Sequence, residues 1–290
     1  MAIDRRRLLR GAGKATAAGA VGVALAAGES AGPSGADRTA RPSRARPKSA
    51  DTPPRFAAAR PAIASRTAWQ AGPTPPRDPD APTANTVKAV FVHHTNSEND
   101  YTPAEVPDLI RTVQDDHIAS RHWDDIGYNF LVDRTGAIYE GRAGSIDGPV
   151  VGAHTEGFNI GTVGIAAIGN FSGETAVPAA MLNAIARLAA WKLGLYGVDA
   201  RGNAVLFSSN DGSRFPEGSR CVFHAISGHR DGFLTTCPGA SLYGELGRIR
   251  DRAARLQRRN VPRADSPGGK PLTSWQDWSA VWGGGSPGPR

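Results

Sequence analysis

Cysteine is almost missing from this chain: Cys221 and Cys237 are the only two in 290 residues. Two thiols cannot build a disulfide framework and leave one possible bridge. Long hydrophobic runs are missing as well. The most apolar early stretch, residues 15–27, is rich in Ala and Gly. It falls short of the ~20 residues that a membrane span needs, so stable membrane insertion is not expected. Positive charge is missing where a nucleic-acid binder would carry it. The net charge is +7, but residues 1–60 hold 12 Lys+Arg against 4 Asp+Glu, residues 251–290 hold 7 against 3, and residues 61–250 hold 15 against 20. The basic balance belongs to the ends, and no nucleic-acid partner is expected for the folded part. No internal repeat is present. The helical ligand pair His-Glu-x-x-His is absent too, which excludes the common zinc endopeptidase pattern.

What is present divides the chain into four parts. Asp4-Arg5-Arg6-Arg7-Leu8-Leu9-Arg10 resembles a twin-arginine export signal. The weakly apolar residues 15–27 follow, with Ala24-Leu25-Ala26 as a small-x-small cleavage site, so residues 1–27 read as a signal peptide and the mature protein as secreted or wall-associated. Residues 28–60 lack apolar periodicity and read as a disordered linker, either a solvated tether or a contact for anionic polymers. Residues 61–257 form the domain, expected as a monomer. Residues 258–290 are a Gly/Pro-rich tail carrying Trp275, Trp278 and Trp282 on one side of a short helix, where they dock on the domain or stack on sugars.

Within the domain, Thr86–His94 is apolar on both faces, as a buried central strand should be. Thr102-Pro103-Ala104-Glu105 is a capping box. The helix it opens places Val106, Leu109, Ile110, Val113 and His117 on one face and fades near Ser120, with His117 as a packing residue. Tyr128–Asp133 and Ala137–Glu140 form a hairpin across Arg134-Thr135-Gly136. Thr162–Ile168 is a second buried strand and carries no carboxylate, so it supplies no acidic general base. Pro178–Leu193 is the longest helix, 201–219 a turn-rich surface excursion, Cys221–Ser227 a strand, and Leu242–Leu256 a closing helix. This element order allows an α/β class.

The chemistry concentrates in Gly228-His229-Arg230-Asp231-Gly232-Phe233-Leu234-Thr235-Thr236-Cys237-Pro238-Gly239. An imidazole and a thiol in one Gly- and Pro-punctuated loop are a pair of zinc ligands, and a catalytic zinc site needs a third. Val92-His93-His94-Thr95 offers two candidates at a strand end. Successive strand side chains point to opposite faces, so only one of them can serve. Ile126-Gly127-Tyr128-Asn129-Phe130 adds a phenol, either a core tyrosine with its hydroxyl at the rim or a site residue.

With Ile63–Trp69, Glu140-Gly141-Arg142, Val151-Gly152-Ala153-His154 and Gly169-Asn170-Phe171 added in the same order, residues 61–255 resemble the peptidoglycan recognition proteins and the type-2 N-acetylmuramoyl-L-alanine amidases. The resemblance implies a central mixed sheet flanked by helices, Zn2+ held by His93, His229 and Cys237, and a peptidoglycan or muropeptide substrate. It implies catalytic roles for Tyr128 and for Thr235, two residues before Cys237 as in animal members. It implies substrate contacts from His154 and Arg142, with His94 as a further contact residue. Arg230 and Asp231 read as loop-fixing residues. Two departures stand out: Gln70 occupies a position where Gly is usual, and Ala143-Gly144-Ser145 follows the Glu-Gly-Arg motif where Gly-Trp marks diaminopimelate preference. Stem-peptide preference is therefore not implied. A relative that keeps the groove but loses the thiolate is a binding module, and this chain keeps the thiol. Cys237 is expected on zinc, and Cys221 as a reduced, buried thiol.

The export reading makes its own prediction. Replacing Arg5 and Arg6 with Lys should strand the precursor inside the cell, which blotting of cell and medium fractions would show. Normal secretion of that variant would remove the twin-arginine route.

Overall fold

A computed structural model describes residues 56–71 and 82–257. The expected export signal, most of the linker and the Trp-bearing tail lie outside the described residues. The strands are β1 (Ala89–His94), β2 (Phe130–Val132), β3 (Ile138–Glu140), β4 (Thr162–Ala167), β5 (Asn203–Phe207), β6 (Arg220–His224) and β7 (Ile226–Gly228). The helices are α1 (Val106–Asp115), α2 (Ala179–Leu195), α3 (His229–Gly232), α4 (Ala240–Gly244) and α5 (Leu246–Leu256). Five strands form one mixed sheet in the order β3-β2-β4-β1-β7, with only β3 antiparallel to its neighbour. β5 and β6 make a separate antiparallel pair.

β1 and β4 are buried along their whole lengths because both of their faces are covered. Alternation along β1 sends Val90 and Val92 into the core built with α2 and α5, and Ala89 and Phe91 into an aromatic cluster with Phe158, Leu206 and Phe223. On β2, Phe130 and Val132 join the first core while Leu131 faces α1, Trp69 and Ile126. Helices thus cover both faces of the sheet, as the resemblance implied and the element order allowed. Chain upstream of residue 61 already touches this core: Ala58 packs against it, and the Arg60 guanidinium lies 5.5 Å from the Trp191 ring centre.

Several elements keep their expected form. The capping box is made, with the Thr102 N–H donating to Glu105 Oε2 at 2.7 Å. After α1 the backbone widens into a π turn over Asp116–Ser120. Two expectations are corrected. Residues 201–219 are not all turns, because Asn203–Phe207 forms β5, with Ala204 and Leu206 turned inward and Asn203 and Phe207 exposed. The single strand expected over Cys221–Ser227 is two. Ala225 changes partner between them: its N–H donates to the Gly202 carbonyl at 2.8 Å, while its own carbonyl accepts from Val90 N–H at 2.8 Å. β6 therefore serves the small sheet and β7 the large one. A one-residue switch of pairing leaves no trace in hydrophobic periodicity.

Ile165, fully buried between β1 and β2, tests this core. Ile165→Ala should cost about 2–5 kcal/mol, the usual range for a truncated core aliphatic. The check is a lowered urea midpoint with an unchanged slope.

Candidate active site

β1 ends at its junction with β4 and β7, and His93 and His94 lie at that end. His93 continues the face of Phe91 and is fully buried, whereas His94 continues the face of Val92. From β7 the chain turns directly into α3, whose first residue is His229. The Asp231 carboxylate closes that turn by accepting from the Gly228 N–H at 2.8 Å and from the Tyr243 hydroxyl at 2.6 Å. The Arg230 N–H donates to the Cys237 carbonyl at 3.0 Å, and its guanidinium sits 4.6 Å from the Tyr243 ring centre. These contacts return Cys237 to the end of β1. Gly239 completes the return with φ +89°, and a Cβ there would lie 2.2 Å from the Phe171 backbone, so only glycine fits.

The result is a three-donor cluster. One ligand atom each from His93, His229 and Cys237 lies within 4.8 Å of the other two. The His93 and His229 ring centres are 4.5 Å apart, and Cys237 Sγ is 3.8 Å from His93 Nδ1. A tetrahedral zinc with Zn–S of about 2.3 Å and Zn–N of about 2.05 Å would set N···S near ~3.6 Å and N···N near ~3.3 Å. The cluster fits the ion after closing slightly.

Its protonation chemistry also suits a cation. Burial, aided by neighbouring imidazoles, lowers the pKa of His93, and burial with His94 lowers that of His229 to about 4, so both are neutral donors at pH 7. Burial pushes the Cys237 thiol up to about 12. The His94 N–H, 3.4 Å from Sγ, and Arg230 oppose that rise. A coordinated divalent cation supplies the missing stabilisation and deprotonates a ligating thiol.

Tyr128 packs beside this cluster, its ring centre 5.2 Å from that of His93 and 5.3 Å from that of His117. Burial first, and then Cys237, raises its pKa, so the phenol keeps its proton. Its segment is braced from below. The Asp125 carboxylate accepts from the Ile126 N–H at 2.7 Å, from Arg66 Nη1 at 2.7 Å and from the Ala143 N–H at 3.0 Å. His117 Nδ1 accepts the Gly127 N–H at 2.9 Å. The sequence suggested only a packing role for His117, and nothing in its spacing gave away this bond.

The remaining expected residues fall in different places. His154 lies against His93, its Nδ1 3.3 Å from His93 Nε2, in a slot only 5% exposed. Thr235 is half-buried and accepts the Cys237 N–H at 3.2 Å. His94 and Arg142, expected on substrate, are buried and bond backbone groups. His94 Nδ1 accepts the Phe171 N–H at 3.2 Å, because strand alternation turns it away from the cluster. Arg142 Nε donates to the Ile126 carbonyl at 3.1 Å, and Nη1 reaches Asp124 at 3.4 Å. The two cysteines do not pair: both are free and buried, with Cys221 in the aromatic cluster beneath β1. Thr155 and Thr162 escaped the sequence reading because hydroxyls carry no motif of their own.

A mixed sheet with an imidazole, imidazole and thiol cluster at its strand ends defines the class, an α/β protein with a candidate zinc centre. The family model for N-acetylmuramoyl-L-alanine amidase, Amidase_2, matches residues 83–240, just over half of the chain. The chain belongs to this family. Peptidoglycan-recognition protein LE of Drosophila melanogaster is 44% identical over 113 residues, covering 39% of this chain and 31% of that protein. An N-acetylmuramoyl-L-alanine amidase of Mus musculus is 32% identical over 196 residues, covering 64% of this chain and 30% of its own length. These two matches each span about a third of the relative. Among solved structures, bumblebee PGRP-SA superposes with a TM-score of 0.50 at 27% identity, covering 64% of this chain and 94% of that one.

The buried histidines predict how stability follows pH. In the folded, metal-free protein, burial lowers His94, His117 and His229 to about 4 and His154 to about 3. Unfolded, they titrate near ~6.5. Between those values the unfolded chain binds more protons, so stability is full above ~6.5 and is lost as the pH falls towards 4. In chelator, the thermal midpoint should be flat from pH 7 to 8 and fall steeply below pH 6. A flat profile down to pH 4.5 would contradict neutral burial.

Proposed function

We propose that this chain is an exported zinc amidase that hydrolyses the amide joining N-acetylmuramic acid to L-alanine in peptidoglycan. The observation that carries this reading is the complete donor set of His93, His229 and Cys237 beside the Tyr128 phenol. Those three residues would hold Zn2+, which when bound supplies Lewis acidity towards a carbonyl oxygen and acidifies water.

The chain's own groups do the rest. Tyr128, protonated and half-buried, is the donor available to the oxygen on which negative charge develops when the amide carbonyl becomes tetrahedral. Thr235 is also half-buried and belongs to the loop that carries Cys237, so its hydroxyl is the second candidate donor. Tyr128 and Thr235 are only partly buried while His93 and His154 are buried, which supports substrate approach past Tyr128 and Thr235. Lys192 holds the wall formed by the Gly-rich loop after Arg142, donating from α2 to the Ser145 and Gly148 carbonyls at 2.8 and 3.2 Å.

The second reading is a peptidoglycan-binding module without catalysis, favoured by the recognition-protein names among the relatives. It predicts muropeptide binding with no product. Digestion of purified muropeptides by the zinc-loaded protein, read by mass, separates the two. His229→Ala should lose both zinc and product, and Tyr128→Phe should keep zinc while turnover drops by ~100-fold or more, the scale of one lost oxyanion donor. Full activity in a metal-free preparation would refute the amidase reading.

A further inference from the structure

His154 has more to do with His93 than with solvent. Two glycines build its slot: a Cβ on Gly164 would lie 2.5 Å from His154 Cγ, and one on Gly152 would lie 2.6 Å from His154 Cδ2. Gly164 sits on β4 directly opposite Phe91 of β1, so the imidazole lies on the sheet beneath His93. Its partners are buried as well, with Thr155 fully so and Thr162 2% exposed.

The hydrogen bonds of this cluster have one consistent direction. Thr162 Oγ1 lies 2.5 Å from the Phe158 carbonyl and 3.1 Å from the Asn159 carbonyl. Two oxygens at 2.5 Å need a proton between them, so the one hydroxyl proton of Thr162 is committed there. Towards His154 Nε2, at 3.5 Å, Thr162 can then only accept, which puts the proton of the neutral His154 on Nε2. His154 Nδ1 is left as an acceptor. Facing it are His93 Nε2 at 3.3 Å and Thr155 Oγ1 at 3.1 Å, and Thr155 Oγ1 is also 3.4 Å from His93 Nε2. Both of those neighbours of His93 Nε2 are satisfied when His93 carries its proton on Nε2. Its Nδ1 lone pair is then bare and turned to Cys237 Sγ, 3.8 Å away.

We propose that Thr162 and His154 are positioning residues that hold His93 in the Nε2–H tautomer, so that Nδ1 is the atom presented to the metal. This rests on the zinc reading above. A ligating histidine whose other nitrogen has a fixed partner is oriented and made more basic, and losing such a partner weakens metal binding by about 10–100-fold. Here the polarity is set three groups away, by a backbone carbonyl that can only accept.

Thr162→Val removes the hydroxyl with little change of shape, and Thr162→Ser keeps the hydroxyl while removing the methyl. Zinc affinity, measured by competition with a chromophoric chelator, should fall by at least ~10-fold in Thr162→Val and be restored in Thr162→Ser. A mere packing role would weaken Ser as much as Val. Nitrogen-15 spectra of the metal-free wild type should show the Nε2–H tautomer at both His93 and His154, a readout that needs neither a variant nor zinc. Wild-type affinity in Thr162→Val, or a proton on Nδ1 of His93, would overturn the proposal. If the wild type binds no zinc, the metal reading itself falls and this role falls with it. Zinc binding by the wild type with no difference between Val and wild type removes only this inference.

Discussion

The parallel pairing of β1 with β4 on one side and β7 on the other is the constraint from which the site follows. Pairing on both edges and packing on both faces fix the direction of every side chain of β1. Phe91 and His93 must share one face and Val92 and His94 the other. A slip of one residue would turn His93 to the opposite face and leave Val92 or His94 in its place, depending on the direction of the slip. The register is protected by bulk, since Val90 and Val92 are locked into the core with α2 and α5 while Phe91 fills the aromatic cluster. The hydrophobic effect thus aims a polar side chain that contributes nothing to it.

Electrostatics at the strand end disfavours charge on the donor cluster, a state that a bound cation would relieve. Burial leaves two neutral imidazoles and a thiol whose ionisation is disfavoured. A single divalent charge would reverse the balance at Cys237 without changing the histidines, because neutral imidazole is already the ligating form. The same desolvation keeps the Tyr128 phenol protonated. One dry environment therefore prepares both the ligands and the hydrogen-bond donor.

Much of this was readable before any coordinates. The apolar runs of β1 and β4, the capping box at Thr102 and the spacing of Met181, Ile185 and Leu188 on α2 are short-range patterns, and short-range patterns survive in sequence. The loop pair His229 and Cys237 was legible because His and Cys in a Gly/Pro loop leave few alternatives, whereas the choice of His93 over His94 as third donor came from the family resemblance, and the fold groups His93 with that pair. Other features were hidden for physical reasons. β5 lies in a Gly- and Ser-rich stretch and is defined by its partner β6, and Ala225 changes sheets through two backbone bonds that no side chain announces. His94 and Arg142 stand at substrate positions by resemblance, but their bonds in the fold, His94 to the Phe171 N–H and Arg142 to the Ile126 carbonyl and the Asp124 carboxylate, are not announced by sequence spacing. Motif reading assigns chemistry to a residue, whereas the fold decides which way it faces.

The seat of Gly239 on the Phe171 backbone carries a consequence for dynamics. Phe171 N–H bonds His94, its carbonyl accepts the Ser241 N–H at 3.1 Å, and the Ser241 hydroxyl reaches the Gly173 carbonyl at 2.5 Å. The thiol-bearing loop, the turn after β4 and the end of β1 are thereby keyed together. Cys237 cannot swing outward without lifting the backbone around Phe171, and that backbone is anchored to the central strand. The thiol-bearing loop is therefore expected to open only together with the central sheet, unlike the fraying loops where many binding residues reside.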